Sequence, residues 1–263
     1  MRRRLALFTF ILLLPTLLAA RDLSMVGDNW CPYNCPPDST HKGYMIDIVE
    51  RLFGKDYTLD YKLEPWTRAV KMVEDGERHM LVATTAETSR KLQSSIPLGI
   101  DRTCFFIRTP RNWRFNKMSD LADQRLGVVQ DYVYDGNGPL DKLIARYRAS
   151  KNPLLEQAYG QDALTGNFRK LYAGRMDVLI ENENVGQFTI NQLKLQDSIH
   201  NAGCITHHVA TIHVGLTMGL PDGERILGTL REGVAQLRKS GELQAILKKY
   251  DVQDWQPLLK HEK

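Results

Sequence analysis

The sequence predicts an α/β fold divided into two lobes. A strand–helix–strand–helix–strand order occurs twice, and the second copy begins about a hundred residues after the first. This alternation favours largely parallel sheets covered by helices. Without a predicted 20-residue N-terminal segment, 243 of the 263 residues remain. That length suits either one large domain or two lobes.

The first copy occupies residues 22–84. Its strands are short apolar or alternating runs, and its helices carry apolar residues at helical spacing and stop near Gly54 and Gly76. Residues 28–42 contain three prolines and several polar residues, which predicts a loop. In chain order, the predicted elements are a strand at Asp22–Gly27, a helix at Tyr44–Phe53, a strand at Tyr57–Leu63, a helix at Trp66–Glu74 and a strand at Met80–Thr84.

The second copy and its flanks complete the predicted lobes. The copy comprises a strand at Leu126–Val129, a helix at Leu140–Tyr147, a weak strand at Leu154–Ala158, a helix at Ala163–Ala173 and a strand at Met176–Ile180. Strands at Thr103–Thr109 and Thr211–Gly219 flank it, and helices at Glu224–Leu237 and Leu243–Tyr250 follow. A strand that leaves one lobe and another that returns to it would form a two-stranded hinge.

Residues 1–20 have the layout of a secretory signal peptide. Three arginines precede the almost wholly apolar run Leu5–Leu18, and Ala19 and Ala20 supply small residues for a cleavage site. The run is shorter than the roughly 20 apolar residues of a spanning helix and contains Pro15, which disfavours an uncleaved anchor. Cleavage after Ala20, with no cysteine near the cut to carry a lipid, predicts a protein exported to the periplasm.

Cleavage also removes most of the basic charge. The whole chain has 35 lysines and arginines against 31 acidic residues, and the exported chain would have 32 against 31. This near-neutral balance does not favour nucleic acid or an anionic membrane as a partner.

Four cysteines in an oxidising compartment predict two disulfides. Cys31 and Cys35 are close in sequence, whereas Cys104 and Cys204 are far apart, and three pairings are possible. Two hinge strands would bring Cys104 and Cys204 near each other, which favours Cys31–Cys35 with Cys104–Cys204. A zinc site would need two closely spaced pairs, and only one is present.

Several short segments carry a family resemblance through their order and spacing. In chain order they are Trp30–Tyr33, Gly43–Ile48, Pro65–Ala69, Glu74–Gly76, Thr84-Thr85 with Arg90, Leu121–Val129, Leu171–Asp177, Leu237–Leu243 and Ile246–Tyr250. Each segment alone is weak, but together they resemble family 3 solute-binding proteins, the periplasmic receptors of polar amino acid importers. The Trp-Cys-Pro-Tyr-Asn-Cys opening is similar to one branch of that family.

The resemblance implies the type II periplasmic-binding-protein fold, in which two lobes joined by two hinge strands close on a ligand like a Venus flytrap. Lobe 1 would take residues 21–108 and 206–263, and lobe 2 would take residues 109–205. The resemblance implies a receptor without a cofactor or catalytic activity, and we expect a monomer. It delivers its ligand to the membrane permease of an ABC importer, or its closed form signals to a membrane sensor.

Candidate binding residues follow the strands, because ligands of such folds bind beyond the carboxyl ends of the strands. Trp30 and Tyr33 come after the first strand, and the resemblance implies that an aromatic near this point covers the ligand. Trp66 and Arg68 follow the second strand, where an aromatic face can stack on a ligand and an arginine can pair with an anion.

The resemblance further implies that an arginine after the third strand holds a ligand carboxylate, with a hydroxyl five residues before it. Thr85 and Arg90 have this separation, and Thr84 lies beside them. Together they predict a small, polar, carboxylate-bearing ligand that is amino-acid-like.

In the second lobe, bulky residues including Tyr132 stand where family members carry small ones. Asn182 takes the position of an aspartate that pairs with a free amino group, and an asparagine cannot supply that counter-charge. Glu181 and Glu183 flank it as possible substitutes.

Two sharper hypotheses are less favoured. His207, His208 and His213 flank a predicted strand and lack helical i, i+4 spacing, so they do not predict a metal site. Asp131, Glu181 and Glu183 could supply an acid–base pair, and relatives of the family include an exported enzyme, cyclohexadienyl dehydratase. No Ser/His/Asp order, nucleophile elbow or phosphate loop is present, so the sequence predicts a binding protein and not an enzyme.

Overall fold

Two β-sheets, each flanked by helices, form two lobes in the computed structural model, which describes residues 21–260. The predicted signal peptide at residues 1–20 lies outside the described residues. None of the described helices has both the length and the apolar character needed to cross a membrane.

Eleven strands are present in the described part of the chain. They are β1 (Arg21–Gly27), β2 (Tyr57–Leu63), β3 (Met80–Thr84), β4 (Leu92–Ser94), β5 (Gly99–Asp101), β6 (Thr103–Arg108), β7 (Leu126–Val129), β8 (Leu155–Ala158), β9 (Val178–Asn182), β10 (Ile199–Cys204) and β11 (Ala210–Thr217).

Eight α-helices and one short 3₁₀ helix at Met118–Leu121 accompany the strands in residues 21–260. The α-helices are α1 (Tyr44–Phe53), α2 (Trp66–Glu74), α3 (Pro139–Ala149), α4 (Ala163–Tyr172), α5 (Glu183–Gln192), α6 (Gly223–Ser240), α7 (Glu242–Lys248) and α8 (Gln256–Lys260).

The two sheets share one plan. The first has the order β2-β1-β3-β11-β4, with β5 also paired to β11, and the second has the order β10-β6-β9-β7-β8. Parallel pairs join β1 to β2 and β3, and β7 to β8 and β9, whereas β6, β10 and β11 pair antiparallel to their neighbours. The predicted parallel core is therefore present in each lobe, with antiparallel strands added on one side.

The chain crosses between the sheets twice. It leaves the first sheet after β5 and enters the second at Thr103, because β6 pairs with β9 and β10. This crossing precedes the boundary at residues 108/109 that the sequence suggested. The return crossing lies between β10 and β11, and the Cys104–Cys204 disulfide joins the strand ends at the two crossings.

Burial explains why these segments form their elements. All five residues of β3 are buried, as a central strand covered on both faces requires. Helix α1 buries one face, including Met45, Ile48 and Val49, against the sheet. It begins after Gly43, whose φ of 103° and close approach to the backbone of Tyr33 exclude a side chain.

Candidate functional site

A cavity of about 350 Å³ lies between the lobes at the carboxyl ends of β1, β3 and β7. This is the position at which ligands bind in open α/β sheets, and the volume falls in the range of small-molecule sites. The first lobe contributes the segments after β1 and β3 and one side of α2, and the second contributes the segment after β7. The residues that line it include Asp28, Trp30, Trp66, Thr67, Lys71, Glu74, Asp75, Thr85, Thr88, Lys91, Asp101, Asp131 and Tyr132.

Three aromatic rings form the apolar part of the cavity wall. Trp30 and Trp66 belong to the first lobe, and Tyr132 comes from the second. The ring of Tyr132 lies edge-on to Trp30 with 6.4 Å between centroids, and edge-on to Trp66 with 5.8 Å. The second lobe therefore meets the first through one tyrosine that contacts both tryptophans.

Hydrogen bonds also join the lobes across the cleft. The Tyr132 hydroxyl donates to Oδ2 of Asp28, and Thr67 Oγ1 donates to Oδ2 of Asp131 over 2.8 Å. The Trp30 indole donates to Oε1 of Glu181 over 2.9 Å. Each bond pairs a group of one lobe with a group of the other, so the cleft is closed in this structure.

Two carboxyl groups of the cavity wall have raised pKa values. Burial raises the pKa of Asp28 to about 6, although its hydrogen bond from Tyr132 acts in the opposite direction. Burial likewise raises the pKa of Asp101 to about 6, against the hydrogen bond that Asn182 Nδ2 donates over 2.8 Å. Burial therefore disfavours the ionised forms of Asp28 and Asp101 more than their hydrogen bonds favour them.

Glu181 lies behind Trp30 and is only 1% exposed. Its Oε1 accepts hydrogen bonds from the Trp30 indole and from the Asn182 backbone, over 2.9 and 2.8 Å, while its buried Oε2 has no partner among the described residues. Burial raises the pKa of Glu181 to about 8. The carboxyl group is therefore largely protonated at neutral pH.

The cations of the cavity wall are already paired. Lys71 contacts Asp75 over 2.5 Å, and Lys91 contacts Glu74 over 3.4 Å. Among the described residues that line the cavity there is no arginine.

Four of the nine sequence-predicted binding residues line this cavity. They are Trp30, Trp66, Thr85 and Tyr132. Trp66 is the first residue of α2, and Thr85 directly follows β3, so both reach the cavity because they stand where an element starts or ends.

Tyr33 and Asn182 do not line the cavity but lie directly behind its wall. Tyr33 is fully buried and stacks on Trp30 with 4.6 Å between ring centroids. The side chain of Asn182 caps α5 by accepting from the backbone of Asn184 and Val185, and it donates to Asp101. Both residues line a second cavity of about 440 Å³ on the other side of the hinge.

The other three predicted residues lie away from the cavity wall. Thr84 is buried as the last residue of β3. Arg68 is exposed on α2 and contacts Glu64 over 3.4 Å. Arg90 is also exposed. That these residues, with Tyr33 and Asn182, bind ligand stays a prediction for other states of the cleft.

Asp28, Asp101 and Thr67 line the candidate site and were missed by sequence reasoning. Asp28 directly follows β1, and this position at a strand end was the signal that could have found it. Asp101 belongs to β5, which has only three residues and no periodicity to mark it.

The groups considered for catalysis and metal binding are dispersed. Asp131 lines the first cavity, Glu183 lines the second and pairs with Arg102 over 3.2 Å, and Glu181 lines neither. His213 is buried in β11, with ring nitrogens 2.7 Å from Thr211 Oγ1 and from the Ser95 carbonyl oxygen. His207, by contrast, is exposed.

No protein-family model matches the chain, and no curated protein matches it. Solved structures do. One is the substrate-binding protein of an ABC uptake transporter from Streptococcus pneumoniae with bound histidine, with a TM-score of 0.72, 14% identity, and coverage of 90% of this chain and 95% of that one.

Two further structures are similar over comparable lengths. A histidine kinase sensor domain with similarity to periplasmic binding proteins has a TM-score of 0.70 and 20% identity, covering 88% of this chain and 96% of its own. An ancestral arginine-binding protein bound to arginine has a TM-score of 0.69 and 14% identity, covering 87% and 97%. At these identities the likeness establishes the fold: the chain has the two-lobed architecture of periplasmic binding proteins.

Proposed function

We propose that this chain is an exported solute-binding protein that captures a small polar, amino-acid-like molecule by hinge closure and delivers it to an ABC importer. The observation that carries the proposal is the cavity itself. It lies at the carboxyl ends of strands from two lobes joined by two crossings, and residues of both lobes close it. A ligand that contacts both lobes stabilises the closed state through those contacts.

The similar structures support this role. A substrate-binding protein with bound histidine and an arginine-binding protein with bound arginine both share the fold over nearly their whole length. Family 3 of the solute-binding proteins, which the sequence resembles, has the same architecture. The two disulfides fit an exported chain in the periplasm.

Binding without turnover fits the site better than catalysis does. The carboxylates of the cavity wall are engaged by Tyr132, Thr67 and Asn182, and the acidic residues considered for acid–base chemistry face different spaces.

A sensing role is the second candidate, because a histidine kinase sensor domain is among the similar structures. In that role the closed, ligand-bound lobes would dock on a membrane sensor instead of a permease. Binding to a purified sensor or permease, with and without ligand, separates the two roles.

A thermal-shift screen of the purified exported chain tests the proposal. The panel holds amino acids, dicarboxylates, polyamines and short peptides, and a ligand at 100 times its Kd should add about 2.7 kcal/mol of stability. Mass spectrometry of the recovered ligand should show it unchanged. Chemical conversion of the ligand would contradict a binding role, as would the absence of a shift with every class.

A further inference from the structure

The cleft cavity has an excess of carboxylates. Its described lining carries five acidic residues, at positions 28, 74, 75, 101 and 131, and two basic ones, at positions 71 and 91. The two lysines pair with Asp75 and Glu74. Asp131 accepts from Thr67 and lies 3.9 Å from Arg148. Asp28 and Asp101 remain, and in residues 21–260 neither forms an ion pair with a basic side chain.

Asp28 and Asp101 are held in place by hydrogen-bond donors that carry no charge. Asp28 accepts from the hydroxyl of Tyr132, and Asp101 accepts from the side-chain amide of Asn182. These donors orient the carboxylates without neutralising them. A buried carboxylate without a counter-charge is costly, and a cation placed beside it recovers that cost.

The aromatic rings add a second feature that favours a cation. Trp30, Trp66 and Tyr132 line the same cavity as the two aspartates. Aromatic rings attract ammonium and guanidinium groups, and most strongly so in desolvated sites. Carboxylates and aromatic rings in one small cavity both disfavour an anionic ligand at this point.

Asn182 explains where the counter-charge is located. The sequence resemblance implies that an aspartate at this position pairs with a ligand amino group. Here the asparagine instead donates to Asp101 over 2.8 Å, which a carboxylate could not do. The acidic group is therefore Asp101, which accepts this hydrogen bond in the hinge and lines the cavity. Asp28 of the first lobe is a second carboxylate in the same lining.

We propose that the cleft recognises its ligand through a cationic nitrogen, an ammonium or a guanidinium group, which Asp28 and Asp101 hold between the rings of Trp30, Trp66 and Tyr132. The proposal rests on the solute-binding function and names the chemical class of its ligand. The remainder of the ligand, including any carboxylate, contacts the cavity elsewhere.

A matched series of five-carbon compounds tests the charge preference by calorimetry and thermal shift. Cadaverine, pentane-1,5-diol and glutarate have similar lengths and carry ammonium, hydroxyl and carboxylate ends, while agmatine and lysine add a guanidinium and an amino acid head group. We expect at least one of cadaverine, agmatine and lysine to bind, and the diol and glutarate not to bind.

The outcomes separate this proposal from the function on which it rests. If glutarate or the diol binds and no cation binds, the proposal of a cationic ligand is wrong, but the proposed solute-binding function still holds. If no compound of this series or of the broad panel binds, both proposals fail.

Isosteric variants test the residues. Asp28→Asn and Asp101→Asn should each raise the Kd of the cationic ligand about tenfold or more, because a charge-assisted contact is lost. Asp38→Asn, an exposed aspartate in the same loop as Trp30, is the control and should leave the Kd unchanged. Unfolding curves without ligand report whether each variant folds.

Trp66 provides a test that leaves the buried carboxylates untouched. Trp66 is partly exposed at the start of α2, so Trp66→Leu should fold normally. Trp66→Leu should raise the Kd of the cationic ligand several-fold because the aromatic ring is lost, while Trp66→Phe should keep most of the affinity. Unchanged cation affinity in the aspartate variants and in Trp66→Leu would overturn the proposal.

Discussion

The two cavities on either side of the hinge differ in charge compensation more than in size. The second cavity is the larger, at about 440 Å³ against 350 Å³, yet its carboxylates are at least partly open to water and Glu183 has Arg102 as a partner. In the cleft, Asp28 and Asp101 line the same cavity as three aromatic rings and have no basic partner among the described residues. Uncompensated charge in an aromatic enclosure, and not volume, therefore distinguishes the candidate binding site.

Only a thin wall separates the two cavities. The stacked rings of Trp30 and Tyr33 form one part of it, and the Asp101–Asn182 hydrogen bond forms another. Tyr33 also donates to the Ile100 carbonyl over 2.8 Å. The same residues thus define the back of the cleft and the position of the hinge.

The largest expected effect concerns the disulfide that joins the two hinge crossings. Cys104–Cys204 closes a loop of 100 residues, so Cys104→Ser with Cys204→Ser should lower the free energy of unfolding by about 2–5 kcal/mol. Urea unfolding under oxidising conditions measures this. Cys31→Ser with Cys35→Ser is the matched control, and the loss should be smaller because that loop spans four residues. An equal loss in both variants would contradict the chain-entropy explanation.

The next largest effect concerns Glu181 and pH. Its pKa of about 8 in the folded state lies above the ordinary value of 4.5, so the folded protein binds the proton more tightly than the unfolded chain. The resulting stability is complete below pH 4.5 and is lost as the pH rises towards 8.

Wild-type protein should therefore unfold more easily at pH 8 than at pH 5. Since one pKa unit corresponds to about 1.4 kcal/mol, Glu181→Gln should be more stable than wild type by about 2–4 kcal/mol at pH 8 and similar to it at pH 5. Thermal and urea unfolding at both pH values provide the measurement. A variant that is less stable than wild type at pH 8 would show that the ionised carboxylate stabilises the fold.

Tyr132 should affect ligand binding more than any residue of the second cavity. Tyr132→Ala removes a ring that contacts both tryptophans and a hydroxyl that orients Asp28, so the Kd of the ligand found in the screen should rise about tenfold or more. Tyr132→Phe keeps the ring and should have a smaller effect. Gln187→Ala, in the lining of the second cavity, should leave the Kd unchanged. An equal rise in Kd for this variant would show that the ligand also contacts the second cavity.

The smallest effect is expected for the ion pair of the second cavity. Arg102 and Glu183 are both partly exposed and lie 3.2 Å apart, so Arg102→Gln should change the free energy of unfolding by less than about 1 kcal/mol and leave ligand binding unchanged. A large loss of affinity in this variant would show that the hinge side of the second cavity takes part in recognition.

The sequence by itself determined the first three strands and the first two helices of the first lobe, and the general plan of the fold. The strand at Tyr57–Leu63 and the helices at Tyr44–Phe53 and Trp66–Glu74 have the predicted bounds, because burial on one face imposes a periodicity that is visible in the residues. The preferred disulfide pairing is also present, since it follows from the two-stranded connection between lobes. Strands β4 and β5 were missed because three residues are too few to show a period.

Only the tertiary structure decided which residues share the cleft. Trp30 and Tyr33 are three positions apart in one loop, yet one lines the cleft and the other lines the second cavity. Asn182 caps α5 and orients Asp101, which comes from a distant segment, and its predicted contact with a ligand stays a prediction. The physical reason is that periodicity records whether a residue is buried, whereas the direction of a loop side chain and its partners depend on how the two lobes pack.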